Sequence, residues 1–479
     1  MHLGLDLGTS GLKAVLIDDG QSVLGEATAA LDVTRPAAGQ SEQAPGDWIR
    51  AAENCLEALA ANHDLSAVQG IGLSGQMHGA TCLDASDQVI RPCILWNDTR
   101  AHAEAAAMDA APGFRDTTGN IVFPGFTAPK IAWMKTHEPD NFDRIAKVLL
   151  PKDYLRLWLT GEHVAEMSDA AGTSWLDTGR RDWDDDLLAA TGLSRQQMPR
   201  LVEGSDISGT LRHEVAARFG LREGTPVAGG GGDNAATGIG MGVVTAGQAF
   251  VSLGTSGVLF AATDGYAPDA ATAVHTFCHA LPDTWHQMGV ILAATDALNW
   301  FARIAGSDAA TLTRDLGDLR APGKTIFLPY LGGERTPLND AAVRGAFVGL
   351  EHATDQKAAT RAVLEGVTFA LKDSQTALAA TGTRIDSLLA TGGGARSDYW
   401  LSAIATAMGV PVDLPVAGDF GAAFGAARLG LIAAMGAGAE AAMSPDISRR
   451  IEPDTSLSAA FEDAYGRYKE AGAAIQGLN

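Results

Sequence analysis

The sequence predicts an α/β protein of two domains that share one plan and face each other across a cleft. Two observations predict it. Leu-Gly-Thr-Ser-Gly occurs at 7–11 and again at 253–257, 246 residues apart in a chain of 479. The same local patterns then follow each copy in the same order. Such a length exceeds one core, since domains usually run roughly 100–200 residues, and the boundary is expected between 245 and 246 (domains 1–245 and 246–479).

In the first copy, "HLGLDLGTSGLKAVLIDD" is an apolar run, a Gly-Thr-Ser-Gly turn and a second apolar run, the pattern of a β-hairpin. "QAFVSLGTSGVLFAAT" repeats it. A helix is next in each half. In "DWIRAAENCLEALAANH" the apolar residues Trp48, Ala52, Cys55, Leu56 and Leu59 recur at helical spacing, and "AATRAVLEGVTFALKDSQTALAA" matches it in the second half. A short strand and a Gly-rich loop follow, "VQGIGLSGQMHG" and "IDSLLATGGGARS". Each half also has a strand leading into a Gly/Ala-rich helix, "TPVAGGGGDNAATGIGMG" and "VPVDLPVAGDFGAAFGAARLG". Ordered repetition of this kind indicates two copies of one domain.

Composition narrows the function. A net charge of −22 disfavours nucleic acid and anionic membranes as partners. No segment reaches the ~20 apolar residues that span a bilayer, and the N-terminus opens on a strand pattern rather than a signal peptide. Cys55, Cys82, Cys93 and Cys278 show no CxxC spacing, so neither a zinc site nor a disulfide framework is expected. These features read as a soluble cytoplasmic protein.

The loops point to phosphate chemistry. A Gly-Thr-Ser turn presents backbone N–H groups and hydroxyls to phosphate oxygens, so Gly8, Thr9 and Ser10 from one half and Gly254 and Thr255 from the other are expected to hold a polyphosphate. Asp233 is the only charged residue in the forty from Gly224 to Thr263. It follows four glycines, which are expected to clear side chains from the approach to its carboxylate; a helix N-cap is the alternative reading. Asp6 precedes the first turn, where a carboxylate beside phosphate implies a bridging cation such as Mg²⁺, a turn cap being the alternative. Lys13 reads equally as a phosphate contact or a solvent-facing lysine. Met77, in a Gly-rich loop after a strand, is not expected to be core filler, a partly buried packing role being the alternative.

In order, DLGTS, GQMHG, GGGGDN, SLGTSG, GGGAR and GDFGAAFGAA resemble the FGGY carbohydrate kinases. "GFTAPKIAWMKTH" (125–137, including Lys130 and Trp133) matches the first signature of that family. "GAFVGLEHATDQKAATRAVLEG" (345–366) resembles the second, departing at Ala358 and Ala359, which fall on a helix. Within the family, "GQMHGATCLD", "RPCILWND", "LLPKDYLRLWLTGE", "MSDAAGT" and "LPYLGGERTP" are most similar to the xylulokinase branch. Glycerol kinases carry Arg-Glu where this chain has Met77-His78, which disfavours glycerol.

The resemblance implies two actin/hexokinase-like (ribonuclease H-like) ATPase domains and transfer of the γ-phosphate of ATP to O5 of D-xylulose. It implies that Gln76, Met77, His78, Trp96, Asp233 and Asn234 bind the sugar, with Asn97 and Asp98 nearby. It further implies that Gly393 and Gly394 support the adenosine, that Asp6 and Asp233 hold Mg²⁺, and that Asp233 is the catalytic base. The Ala/Gly-rich C-terminal helices offer a homodimer face. Ribulose or gluconate is the alternative acceptor. A non-catalytic, chaperone-like actin-fold ATPase lacks reason for the sugar loop. A Rossmann oxidoreductase would need a GxGxxG opening a helix, which "GLDLGTSG" does not supply.

Overall fold

The computed structural model describes residues 1–314, 316–416 and 420–476. The first hairpin forms where the sequence predicts it. Strand β1 (His2–Leu7) pairs antiparallel with β2 (Gly11–Ile17), setting Asp6 opposite Lys13, and β3 (Val23–Ala30) extends the meander. Helix α1 (Pro45–Ala60) starts with Pro in its first turn, where the missing N–H costs nothing, and buries Trp48, Ala52, Cys55, Leu56 and Leu59. Strand β4 (Gly70–Gly75) then lies parallel to β1. Helix α2 (Thr127–His137) begins the first signature segment. Strands β5 (Ile207–Thr210), β6 (Pro226–Ala228) and β7 (Gly231–Gly232) complete the sheet and lead into α3 (Asp233–Gly240).

The second half repeats this layout. Strands β8 (Gly247–Leu253) and β9 (Gly257–Thr263) form the second hairpin, and β10 (His275–Cys278) and β11 (Trp285–Ile291) continue it. Helices α4 (Thr295–Ile304) and α5 (Gln356–Ala380) precede β12 (Ile385–Thr391), β13 (Val412–Pro415), α6 (Ala422–Met435) and β14 (Ile447–Ile451). Among the described residues the sheet orders are β5-β6-β4-β1-β2-β3, with β7 also on β4, and β10-β11-β9-β8-β12-β13-β14. Each sheet thus runs from an antiparallel meander through its first strand into two parallel neighbours. Strands β1 and β8 are buried along nearly their whole length, as central strands covered on both faces must be.

Helix α6 departs from the simplest two-domain picture. It comes from the second half but packs on β1 and β4 of the first sheet and crosses α3. Its sequence is apolar all round, which a helix tolerates only when buried on every side. Backbone contact requires glycine there: a Cβ on Gly72 would lie 1.8 Å from Ala426 O, and one on Gly425 1.7 Å from Ala236 O. Arg428 stacks on Phe424 and donates to Ile239 O and Gly240 O, a cation at the C-terminus of α3 where the helix dipole favours it. The small-residue faces of this Ala/Gly-rich helix are therefore used inside the chain. Gly418 and Asp419 of GDFGAAFGAA lie outside the described residues. No helix among the described residues is long and apolar enough to cross a membrane.

Candidate active site

Asp233 opens α3, with Gly232 as the N-cap, so its carboxylate sits in the first turn rather than at the cap. Its Oδ1 accepts from Asn234 N at 2.7 Å and Asn234 Nδ2 at 2.9 Å. Burial pushes its pKa up to about 6, against the pull of those two bonds.

The four glycines before Asp233 do not chiefly clear its approach. Gly230 has a φ of 80° with Leu73 O against it, and a Cβ on Gly229 would lie 2.1 Å from Glu203 O. Only Gly232 faces the candidate sugar side, where Met77 Sδ would meet its Cβ at 3.0 Å. Met77 is thus packed against the backbone that leads into Asp233.

His78 adopts a left-handed φ of 69°, uncommon for a residue with a side chain. Three bonds hold it. Its carbonyl accepts from Lys130 Nζ at 2.9 Å and Thr127 Oγ1 at 3.1 Å, and its Nδ1 lies 2.6 Å from Gly172 O. Because a carbonyl only accepts, Nδ1 carries the proton and Nε2 is left as an acceptor. Burial lowers the ring's pKa to about 3, so it stays neutral. Lys130, expected from the signature but without a role, is buried and lowered to about 7 by desolvation; α2 therefore serves to fix the backbone of His78.

Met77, His78, Trp96, Asn97, Asp233 and Asn234 line one cavity of about 580 Å³. Its wall also includes residues the sequence reading did not single out: Phe123 and Phe126 from the first half and His275, Phe277 and Arg335 from the second. His78 stacks on Phe126 with centroids 4.4 Å apart. Phe126 lies inside the quoted signature and Arg335 inside "GGERTP", so a signal was present for both. His275 and Phe277 come from β10, whose place beside the first half follows only from the tertiary fold.

Gln76, Asp98 and Lys13 each engage protein partners. Gln76 is buried behind the first turn, accepting from Thr9 Oγ1 at 3.1 Å and donating to Gln43 Oε1 at 3.0 Å, so both ends of its amide are engaged away from the cavity. Asp98 lines the cavity but accepts from Ser41 N and from Arg100 N, Nε and Nη2, an enclosed ion pair rather than a free acceptor. Lys13 pairs with Glu26 on β3 at 2.8 Å.

A second cavity, of about 730 Å³, is lined by Gly393 and Gly394 together with Asn299, Arg314, Tyr399 and Trp400. The turn 254–256 borders the first cavity and is bonded to a wall residue of the second. Thr295, a wall residue of the second cavity, donates through N and Oγ1 to Gly254 O, while Ser256 lines the first cavity. The other turn reaches the first cavity too, because Trp96 Nε1 donates to Thr9 Oγ1 at 2.9 Å.

Asp6 is next to last in β1 and lies level with Ser74 of β4 and Gly231 of β7, two residues before Asp233. Adjacent strands lie about 4.8 Å apart, so the two backbones are roughly 10 Å apart. That spacing suits a hydrated divalent cation carried on phosphate oxygens. Among the described residues no group of three or more His, Cys, Asp and Glu forms a protein cage for a metal.

A glycine turn set between a nucleotide-sized cavity and a smaller, aromatic-walled one with an ionisable carboxylate is the layout of a two-domain small-molecule phosphotransferase. The comparisons agree. Residues 1–240 match the N-terminal domain and residues 249–434 the C-terminal domain of the FGGY family of carbohydrate kinases. A xylulose kinase of Escherichia coli (strain K12) is 48% identical over 437 residues, 91% of this chain and 90% of that one. A xylulose kinase of Klebsiella pneumoniae is 47% identical over 440 residues, 90% of each. The crystal structure of a "xyloylose kinase" from Brucella ovis matches with a TM-score of 0.99 at 61% identity, covering 100% of both chains. The chain belongs to the FGGY family of carbohydrate kinases. It is an enzyme, a phosphotransferase that uses ATP to phosphorylate a carbohydrate.

Proposed function

We propose that the chain phosphorylates D-xylulose at O5. The observation that carries this is the turn 254–256, whose Ser256 lines the smaller cavity and whose Gly254 O is bonded by Thr295 of the larger one, a place suited to a phosphate chain running between adenosine on one side and sugar on the other. The sugar lies in the smaller cavity, with His78 Nε2 accepting from a hydroxyl and Met77 packing on the carbon chain. ATP extends from Gly393 and Gly394, with its phosphates between Gly8, Thr9 and Ser10 and the second turn. Asp6 and Asp233 would hold Mg²⁺, which would supply charge neutralisation at the phosphates. Asp233 orients the reacting hydroxyl and receives its proton. In a loose transition state the nucleophile bonds little to phosphorus, so the proton leaves late and a weak base suffices.

A panel of D-xylulose, L- and D-ribulose, gluconate and glycerol tests the acceptor, with ADP release as the readout. The expected result is the highest kcat/KM for D-xylulose. A higher value for any other acceptor overturns the substrate while keeping the cleft.

The pH profile follows from three shifted groups. Asp233 acts in its ionised form and its pKa is about 6, so log kcat/KM for the sugar is expected to climb with unit slope below pH ~6 and level off above it. His78, at about 3, adds no limb in that range. A neutral Lys130 still donates to His78 O, so its loss of charge near 7 leaves the plateau intact. A profile flat from pH 5 to 8 would remove Asp233 as the base.

A further inference from the structure

The cavity contains a cation that the proposed chemistry does not use. Arg335 sits in the loop after "LPYLGG", and its two neighbours stitch that loop to the end of β11. Glu334 Oε1 accepts from Leu292 N at 2.9 Å, and Thr336 exchanges bonds with Val290, its N donating to Val290 O and its Oγ1 accepting from Val290 N. The loop is therefore fixed on both sides of Arg335. Its guanidinium lies 4.0 Å from the ring centroid of Phe123, a residue of the first half. Both residues line the cavity that holds Asp233.

No carboxylate or carbonyl among the described residues accepts a bond from the Arg335 guanidinium, nor does it form an ion pair. The neighbouring acid, Glu334, already accepts from Leu292 N and Arg335 N, and burial raises its pKa to about 7. The half-buried guanidinium therefore has up to five donors free for a ligand's acceptors. Burial, with the charge of Arg335 adding to it, lowers the proton affinity of His78 and His275, and the guanidinium packs on Phe123 in the wall of that cavity.

We propose that Arg335 is a sugar-binding residue contributed by the second half, donating to the carbonyl end of the ketose while Asp233 holds the hydroxyl at the other end. A planar, forked donor suits a carbonyl and its adjacent hydroxyl, two acceptors in one plane. Phe123 holds the fork flat and ties its position to the first half. The site then recognises its acceptor from both sides of the cleft and prefers a 2-ketose to the corresponding polyol.

This inference rests on the smaller cavity being the sugar site. The test compares wild type, Arg335→Met and Arg335→Lys in steady-state kinetics with D-xylulose and with xylitol, and compares melting curves. The expected result for Arg335→Met is a KM for D-xylulose raised ~10–100-fold, as for loss of a charged hydrogen bond. The KM for ATP should move less than twofold, and the preference for D-xylulose over xylitol should shrink in proportion. Arg335→Lys, which keeps the charge without the fork, should recover part of the loss and serves if Arg335→Met does not fold. A KM for D-xylulose within twofold of wild type in a folded variant overturns the proposal. So does a fall in kcat alone, which would put Arg335 on the transferred phosphoryl group. If wild type favours another acceptor in the panel, the proposed substrate falls, and the KM shift on that acceptor decides Arg335 separately.

Discussion

Asp233→Asn is expected to lose ~10²–10⁴-fold in kcat, the contribution usual for a positioned general base and equal to roughly 3–5 kcal/mol of barrier. The substitution is close to isosteric, and the Asn234 N bond to the δ1 position survives if the amide oxygen takes that place. Its α3 helix remains anchored by Arg428. Sugar binding, measured by calorimetry without ATP, should therefore stay within a few-fold of wild type. The unit slope below pH ~6 should vanish with the carboxylate that produces it. Near-wild-type turnover in this variant would sink the assignment, and lost sugar binding with it would make Asp233 a binding residue first.

Gly425→Ala is expected to show the second largest effect, by a different route. The added Cβ would meet Ala236 O at 1.7 Å and Gly240 N at 2.9 Å, both on α3. No rotamer relieves a Cβ clash with backbone, so α3 and α6 must separate. Overpacking of this kind costs about 1–3 kcal/mol or more, and a shift of about 1 Å at the start of α3 is enough to lower kcat ~10²-fold. The expected outcome is a lower melting temperature together with lower kcat. Gly466→Ala is the control, because a Cβ there meets nothing within 4 Å and should stabilise its helix slightly. Wild-type melting and turnover in Gly425→Ala would show that the two helices can part freely.

Much of this architecture was legible in the residues. The hairpins were readable because glycine turns between apolar runs have few other uses, and α1 because five apolar positions recur on one face. Asp233 stood out because no other charge lies near it in sequence. What escaped is what depends on the direction a side chain takes. Gln76 shares a strand-end loop with Met77 and His78, yet alternation along the backbone turns it behind the sheet to Thr9 and Gln43. Asp98 lies at the cavity as expected, but its pairing with Arg100, two residues on, has no signal in the sequence. The roles of Gly229 and Gly230 are set by Glu203 and Leu73, neither adjacent in the chain. For α6 a signal did exist: a helix with one charge in fourteen residues has no face to give to water.

The matching order of the two sheets has a consequence for the turns themselves. Two copies of one domain bring an approximate twofold symmetry to the cleft, but ATP has none, so equivalent positions cannot keep equivalent jobs. The residue two before the glycine of each turn is Asp6 in the first half and Ser252 in the second. Lys13 on β2 has Leu259 as its counterpart on β9. Charge therefore remains beside one turn and is absent from the equivalent positions at the other. In the proposed arrangement this asymmetry tells the nucleotide which way round to lie: the cation-bearing end of the phosphate chain faces Asp6, and the neutral second turn receives the end that leads to adenosine.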